Sequence, residues 1–401
     1  MRLRRSWAAS RLAGVLGLAL TAGGQVLLSP QDTEKAGRVM DSAPPKDTLD
    51  CEVTPIRPFL DFAFRFEIGY VVRCPLKVFR GEAARLSALL RVRREGVPAA
   101  LFFGAYEIPA MPPGLKDRLD PRRMSSQVEF SGAIVAGEGE YPLELVVMDS
   151  NQRFFRHTWT AKAALARNER HLQPVLKPGA LAGMRHPFWE ADEKSATSPY
   201  RITVLLDAAP INPLSMKLRA WDRAFLLNSL YSLLRHIPAA RVRVVAFNLD
   251  QQREVFRQEG LDRFTFLKLA QALSNLELGT ISTGTLLRQQ GWAELLAGLI
   301  QAEAAGKPDT SAIIFLGPHA RLNKKMACDA PAYQPGKSPP IYYFEYFARQ
   351  GAEFPDSIEH LTNACKGRVF KLHSPGELGR NIAKMRTDLG ILPRVALVAP
   401  Q

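Results

Sequence analysis

The chain has few of the residue patterns that mark known chemistries, and these absences narrow its reading first. Cysteine is scarce, with four in 401 residues, Cys51, Cys74, Cys328 and Cys365. None forms a C-x-x-C pair, so zinc-ribbon and thioredoxin-type chemistry has no basis. There is no G-x-S-x-G elbow and no H-E-x-x-H pair, and the seven histidines stand apart from one another. The signatures of serine hydrolases and zinc proteases are therefore missing. The loop from Gly279 to Thr285 superficially resembles a phosphate cradle but lacks the lysine that reaches β- and γ-phosphates. No arginine-rich arm or aromatic-interleaved basic motif points to specific nucleic-acid binding. Past the N-terminal segment, no apolar run reaches the ~20 residues that a membrane-spanning helix needs.

The remaining composition is that of an ordinary globular chain, with 46% hydrophobic and 23% charged residues, and its length suits two or three domains. The formal net charge is +14, of which Arg2, Arg4, Arg5 and Arg11 supply four. Such an excess can favour anionic surfaces. The basic residues are scattered, however, densest at Arg91, Arg93 and Arg94 and at Arg122 and Arg123, as on a solvated basic surface.

Those four arginines precede the apolar stretch Leu12 to Leu20, and the small residues Ala22, Gly23 and Gly24 follow. This is the three-part plan of a secretory signal, expected to be cut after Gly24. A secreted or periplasmic chain without a membrane span after cleavage is therefore expected. Four cysteines suit that compartment and allow up to two disulfides. Pairing within each half would join Cys51 to Cys74 and Cys328 to Cys365; the other two connectivities and free thiols remain open.

Residues 25–48 are polar and aperiodic, as in a flexible leader. Residues 49–163 show short strands separated by Gly and Pro clusters, which predicts an antiparallel Ig-like β-sandwich. Phe62, Phe64 and Phe66 alternate with Ala63 and Arg65, placing three rings on one strand face. Tyr141 opens a strand after a tight turn and resembles the tyrosine corner of immunoglobulin-like domains. Residues 164–199, rich in proline and charge, are expected as a linker. Strand and helix patterns alternate over 200–390, which predicts an α/β doubly wound domain, and 391–401 form a tail. Its first strand, Tyr200 to Asp207, ends abruptly in a carboxylate, at the end of the sheet where ligands gather. On the helix that follows, Phe225, Leu226, Leu230, Leu233 and Leu234 share one face and belong to the core.

Several features of this half resemble a von Willebrand factor type A domain: Asp207 at the end of the first strand, V-R-V-V-A-F in the second, the Gly279-Thr-Ile-Ser-Thr-Gly284 loop, and a closing strand and helix. The resemblance covers roughly Tyr200 to Leu389. It implies a Rossmann-like type A fold and a magnesium site built from an Asp-x-Ser-x-Ser motif, a later threonine and a second aspartate. Here the motif reads Asp207-Ala-Ala-Pro-Ile211, so Ala209 and Ile211 offer no oxygen. Gly317-Pro318-His319 stands where a second carboxylate is expected. The metal site is read as degenerate, and neither a cofactor nor Mg2+ is expected. Asp207, Thr280, Ser282, Thr283 and His319 are the expected ligand-contact residues. No catalytic residue is expected; Glu138 and Glu140 alternate along an extended segment and so face apart. The predicted function is a secreted, non-enzymatic, adhesion-type protein that binds a protein or an envelope surface. The alternatives are a hydrolase or transferase acting on an anionic envelope polymer, and a self-associating structural component.

Overall fold

The computed structural model describes residues 25–42, 48–94, 96–112, 114, 126–184, 188–190, 197–212, 214–278, 284, 287–305, 310–320, 322–328, 333–348 and 354–391. The expected signal segment and three of the expected contact residues, Thr280, Ser282 and Thr283, lie outside them. The chain divides into two compact units. The first comprises the residues up to Leu60, Arg65–Leu165 and Pro174–Arg185; the second comprises Asp61–Phe64, Ala166–Gln173 and the chain from His186 onward. The stretch expected as a linker thus contributes to both.

The first unit contains β1 (Val26–Leu27), α1 (Pro30–Ser42), β2 (Glu52–Pro55), β3 (Phe59–Leu60), β4 (Phe66–Pro75), β5 (Ala84–Arg94), β6 (Val97–Ile108), β7 (Gln127–Ala136), β8 (Gly139–Asp149), β9 (Phe154–Ala163) and β10 (Leu181–Gly183). These build two antiparallel sheets, one in the order β1-β6-β5-β8-β9 and one in the order β10-β7-β4-β2 with β3 beside β4. The expected flexible leader instead carries α1. Ser29 caps it, accepting the Asp32 N–H at 3.3 Å, and Pro30 takes the first helical position, where no N–H is needed. Ala36 and Met40, one turn apart, are buried against Leu89, Leu101 and Phe103. The Tyr141 hydroxyl donates to the Gly137 carbonyl at 2.9 Å, a local tie of the kind anticipated.

The second unit contains β11 (Phe188–Glu190), β12 (Tyr200–Asp207), α2 (Ala220–His236), β13 (Ala239–Asn248), β14 (Arg253–Leu261), β15 (Arg263–Thr265), α3 (Phe266–Ser274), α4 (Gly291–Ala305), β16 (Ala312–Pro318), β17 (Ile341–Tyr346), α5 (Ser357–Ala364), β18 (Arg368–Leu372) and α6 (Pro375–Asp388). Its main sheet runs β14-β13-β12-β16-β17-β18. The pairs from β13 to β18 are parallel and β14 is antiparallel.

The expected class, an Ig-like sandwich followed by an α/β doubly wound domain of type A kind, is corrected by these observations. Strands outweigh helices, 40% to 26%. In the second unit the crossover from β16 to β17 contains no helix among the described residues, and β14 returns antiparallel from β13. In the first unit two five-stranded sheets replace the four-plus-three immunoglobulin arrangement. Its disulfide, Cys51–Cys74, lies within one sheet, beside the Glu52–Arg73 pair of β2 and β4, and does not cross between sheets.

The aromatic triplet also departs from expectation. Asp61 to Phe64 form a turn: the Asp61 carboxylate accepts the Ala63 N–H at 2.9 Å, and Phe64 has φ 57°. A left-handed residue cannot continue a pleated strand, so Phe62 leaves the face of Phe66. It packs edge-on against Phe225 and Tyr346 in the second unit.

Candidate functional site

One face of the six-stranded sheet is covered by α4 and α5. Leu205, Phe315 and Tyr343 on the strands, Leu296, Leu299 and Ile300 on α4, and Ile358 and Leu361 on α5 form a buried apolar cluster. Side chains alternate along a strand, so two residues further the same face carries Asp207 on β12, Gly317 on β16 and Glu345 on β17. Gly317 and Glu345 are register partners. A Cβ placed on Gly317 would lie 2.7 Å from the Cβ of Asp207. Only glycine allows that approach, and it leaves a gap in the row between two carboxylates. The apolar core thus ends abruptly in acidic groups.

Asp356 enters from the loop before α5. Its Oδ1 caps the helix by accepting the Glu359 N–H at 2.7 Å. Its Oδ2 accepts the Ala320 N–H at 2.7 Å and the Tyr343 hydroxyl at 2.9 Å. His319 follows β16, and its Nδ1 lies 2.6 Å from Glu345 Oε1 and 3.8 Å from Asp356 Oδ2. The ring stacks on Phe347 at 4.7 Å between centroids, and the His319 side chain keeps 33% of its surface exposed. Asp207, Glu345 and Asp356 are buried.

Burial, reinforced by the charges of Asp356 and Asp250, pushes the Asp207 carboxyl well above the usual range. Among the described residues neither of its oxygens has a hydrogen-bond partner, nor does Glu345 Oε2. Burial also pushes Glu345 up to about 7, against the lowering effect of its hydrogen bond with His319. For His319, burial works downward, but the Glu345 hydrogen bond and the carboxylates of Asp356, Glu345 and Glu359 carry its pKa above the ordinary imidazole value.

Asp207 and His319 both line one cleft at the carboxyl edge of the sheet, with Ala209, Pro210, Asn248 and Asp250 among its other walls. The structure therefore brings together two of the expected contact residues. Glu345 and Asp356 were not anticipated, although both leave traces in the sequence. Glu345 interrupts the otherwise apolar and aromatic run of β17, and Asp356-Ser-Ile-Glu359 is a helix-capping pattern. The magnesium site implied by the resemblance does not fit at Asp207. Ala209 and Pro210 supply only apolar side chains, and the Asn248 side chain is engaged by the Ala208 carbonyl and the Gln251 N–H. A different donor set is available: His319, Glu345 and Asp356 each offer a ligand atom, all within 4.8 Å of one another.

Comparisons with known proteins add no assignment. No family profile and no curated protein matches the chain. Among solved structures, the putative ApaA protein from Bordetella pertussis is 14% identical over 31% of this chain and 99% of its own, with a TM-score of 0.19. A β-glucosidase from Listeria innocua is 6% identical over 30% of this chain and 17% of its own, with a TM-score of 0.17. A Bacteroides uniformis β-glucuronidase is 9% identical over 76% of this chain and 36% of its own, with a TM-score of 0.20. Likenesses this faint carry no argument about fold or function.

Proposed function

We propose that the chain is an extracytoplasmic, non-enzymatic binding protein that engages another protein through the carboxyl edge of the six-stranded sheet. The observation that carries this reading is where the exposed apolar side chains lie. Leu214, Met216, Leu287 and Phe354 are 85%, 75%, 78% and 64% exposed. Three of them sit on connections that leave the carboxyl ends of strands, and Leu287 sits on a helical turn before α4. Leu214 and Met216 follow β12, and Phe354 lies between β17 and α5. Leu287 is held near the turn that follows β13 through the adjacent Arg288, whose carbonyl accepts from the Gln252 side chain at 3.0 Å. Among the described residues these are the four most exposed large apolar side chains, and apolar side chains left in water are a usual feature of a docking surface. The cleft floor is acidic, which suits a partner that presents a lysine or arginine amid apolar contacts.

Two intact disulfides, Cys51–Cys74 and Cys328–Cys365, support an oxidising compartment. No helix among the described residues is long and apolar enough to cross a membrane.

The alternative of a hydrolase acting on an anionic envelope polymer draws support from the His319–Glu345 pair and the proton-retaining Asp207, an acid–base set suited to neutral pH. Electrostatics weigh against that substrate: Asp250 lines the cleft and Asp356 lies 3.8 Å from the His319 ring, and both carboxylates would repel an anion. The binding reading is tested by affinity capture from envelope fractions at high salt, with wild-type protein and a Leu214→Glu/Met216→Glu/Leu287→Glu variant as parallel baits. A partner held by the wild type and lost by the variant is expected. Equal retention by both refutes the assigned surface.

A further inference from the structure

We propose that His319, Glu345 and Asp356 together bind one divalent transition-metal ion, with Zn2+ the preferred occupant. This site is separate from the position around Asp207 that the type A resemblance would imply, and it does not rest on the protein-binding reading.

The three donors come from three parts of the fold: the turn after β16, the last turn-facing part of β17, and the cap of α5. Their ligand atoms lie within 4.8 Å of one another. Zinc bonds of about 2.0–2.2 Å place donors ~3.3 Å apart around one ion, so shifts of a few tenths of an ångström to about one ångström assemble the set. The 2.6 Å contact of His319 Nδ1 with Glu345 Oε1 opens when the ion replaces the shared proton, which is released to solvent.

Glu345 is fully buried within this cluster, yet its Oε2 has no hydrogen-bond partner among the described residues. A buried carboxylate oxygen left unsatisfied destabilises the folded state, and a cation within reach of both oxygens removes that penalty. Asp356 can also spare a lone pair. The Tyr343 hydroxyl that donates to Asp356 Oδ2 lies 3.4 Å from the Pro318 carbonyl, so it can turn to that acceptor while Ala320 N–H continues to orient the carboxylate. Such outer hydrogen bonds are what hold metal-bound carboxylates in place.

The donor chemistry selects the ion. One imidazole with two carboxylates suits zinc and, after it, manganese, whereas calcium requires six to eight oxygens and magnesium an octahedral oxygen shell. The partly exposed His319 ring provides the entry path and leaves one side of the ion open to water or to a partner's side chain.

Titration calorimetry on chelator-stripped protein provides the test, with Zn2+, Mn2+, Mg2+ and Ca2+ added separately. One Zn2+ per chain is expected at micromolar affinity or tighter, with proton release, Mn2+ weaker, and no stoichiometric Mg2+ or Ca2+ binding. Glu345→Gln and His319→Gln should each weaken Zn2+ at least tenfold, while Glu129→Gln on β7 of the first unit changes it less than threefold. Thermal melts without metal verify that the variants are folded, and a zinc-dependent rise in the wild-type midpoint provides a readout that needs no variant. Absence of a one-to-one Zn2+ isotherm and of that rise, or Zn2+ binding unchanged in both Glu345→Gln and His319→Gln, overturns the assignment.

Discussion

Asp207 and Glu345 present the same physical problem, a carboxyl group carried beyond the end of an apolar face and kept from water, and the side chains around them answer it differently. Glu345 lies 2.6 Å from His319 Nδ1, whereas neither Asp207 oxygen has a hydrogen-bond partner among the described residues. Asp207→Asn removes the potential charge and keeps the shape. It is expected to stabilise the protein by about 1–3 kcal/mol near pH 8 and by less near pH 4, where the carboxyl already holds its proton; denaturant unfolding at the two pH values measures the difference. In metal-free protein Glu345 adds a second pH effect. Its folded value of about 7 lies above the ordinary 4.5, so the native state keeps a proton that the unfolded chain loses. Stability then falls as pH rises from about 4.5 to 7. His319, raised above 6.5 in the presence of Glu345, Asp356 and Glu359, acts in the same direction: its contribution is complete below its unfolded value and disappears as pH passes its folded one. Unfolding free energy should therefore decline as pH rises from about 4.5 through 7, and Glu345→Gln should flatten that slope. A stability curve rising over this range would contradict the assignment of protons.

At the scale of elements, the cap of α5 connects the site to the fold. Asp356 holds the first turn of the helix, the Ala320 backbone and the Tyr343 hydroxyl at once. Asp356→Ala should cost about 2–4 kcal/mol, more than an ordinary cap, because two further donors lose their acceptor; Asp356→Asn, which keeps an oxygen, should cost less. The other end of α5 is tied through Cys365 to Cys328 in the chain that leads from β16 to β17. Replacing both with serine should lower stability by about 2–4 kcal/mol, measured by denaturant unfolding against the wild type.

Local elements were readable where pattern and punctuation agree. The apolar run of β12 and the V-R-V-V-A-F run of β13 lie close to where the sequence places them. Helix α1 was missed because only Ala36 and Met40 of its thirteen residues are buried, which leaves no sustained apolar stripe; the Ser29-Pro30 pair was the available signal. The triplet Phe62, Phe64 and Phe66 misled because alternation cannot reveal a left-handed residue, and Phe64 is one. The site was legible only in part. A strand-end aspartate and a strand-end histidine can be found by position, but Glu345 and Asp356 join them through a parallel register and a helix cap more than twenty residues away.

At the scale of the whole molecule, the chain carries a formal charge of +14, while the cleft at the carboxyl edge gathers carboxylates. These opposed fields should separate two kinds of binding. Non-specific attachment to anionic polymers should weaken steeply with salt, whereas engagement of the apolar edge should persist; binding measured across a salt series resolves the two components. The class expected for the molecule was misjudged because a sequence reading sees the order of strands and helices but not their balance or pairing. The antiparallel pairing of β14 with β13 is seen only when the strands are placed side by side.

The most direct test of the central claim is site-specific photocrosslinking in native envelope fractions, with the reactive residue placed at Met216 or Leu287 on the carboxyl edge, or at exposed Val97 in the first unit. The account predicts one protein crosslinked from both edge positions and absent from Val97. Crosslinks of equal yield from all three positions, or from Val97 alone, would contradict it.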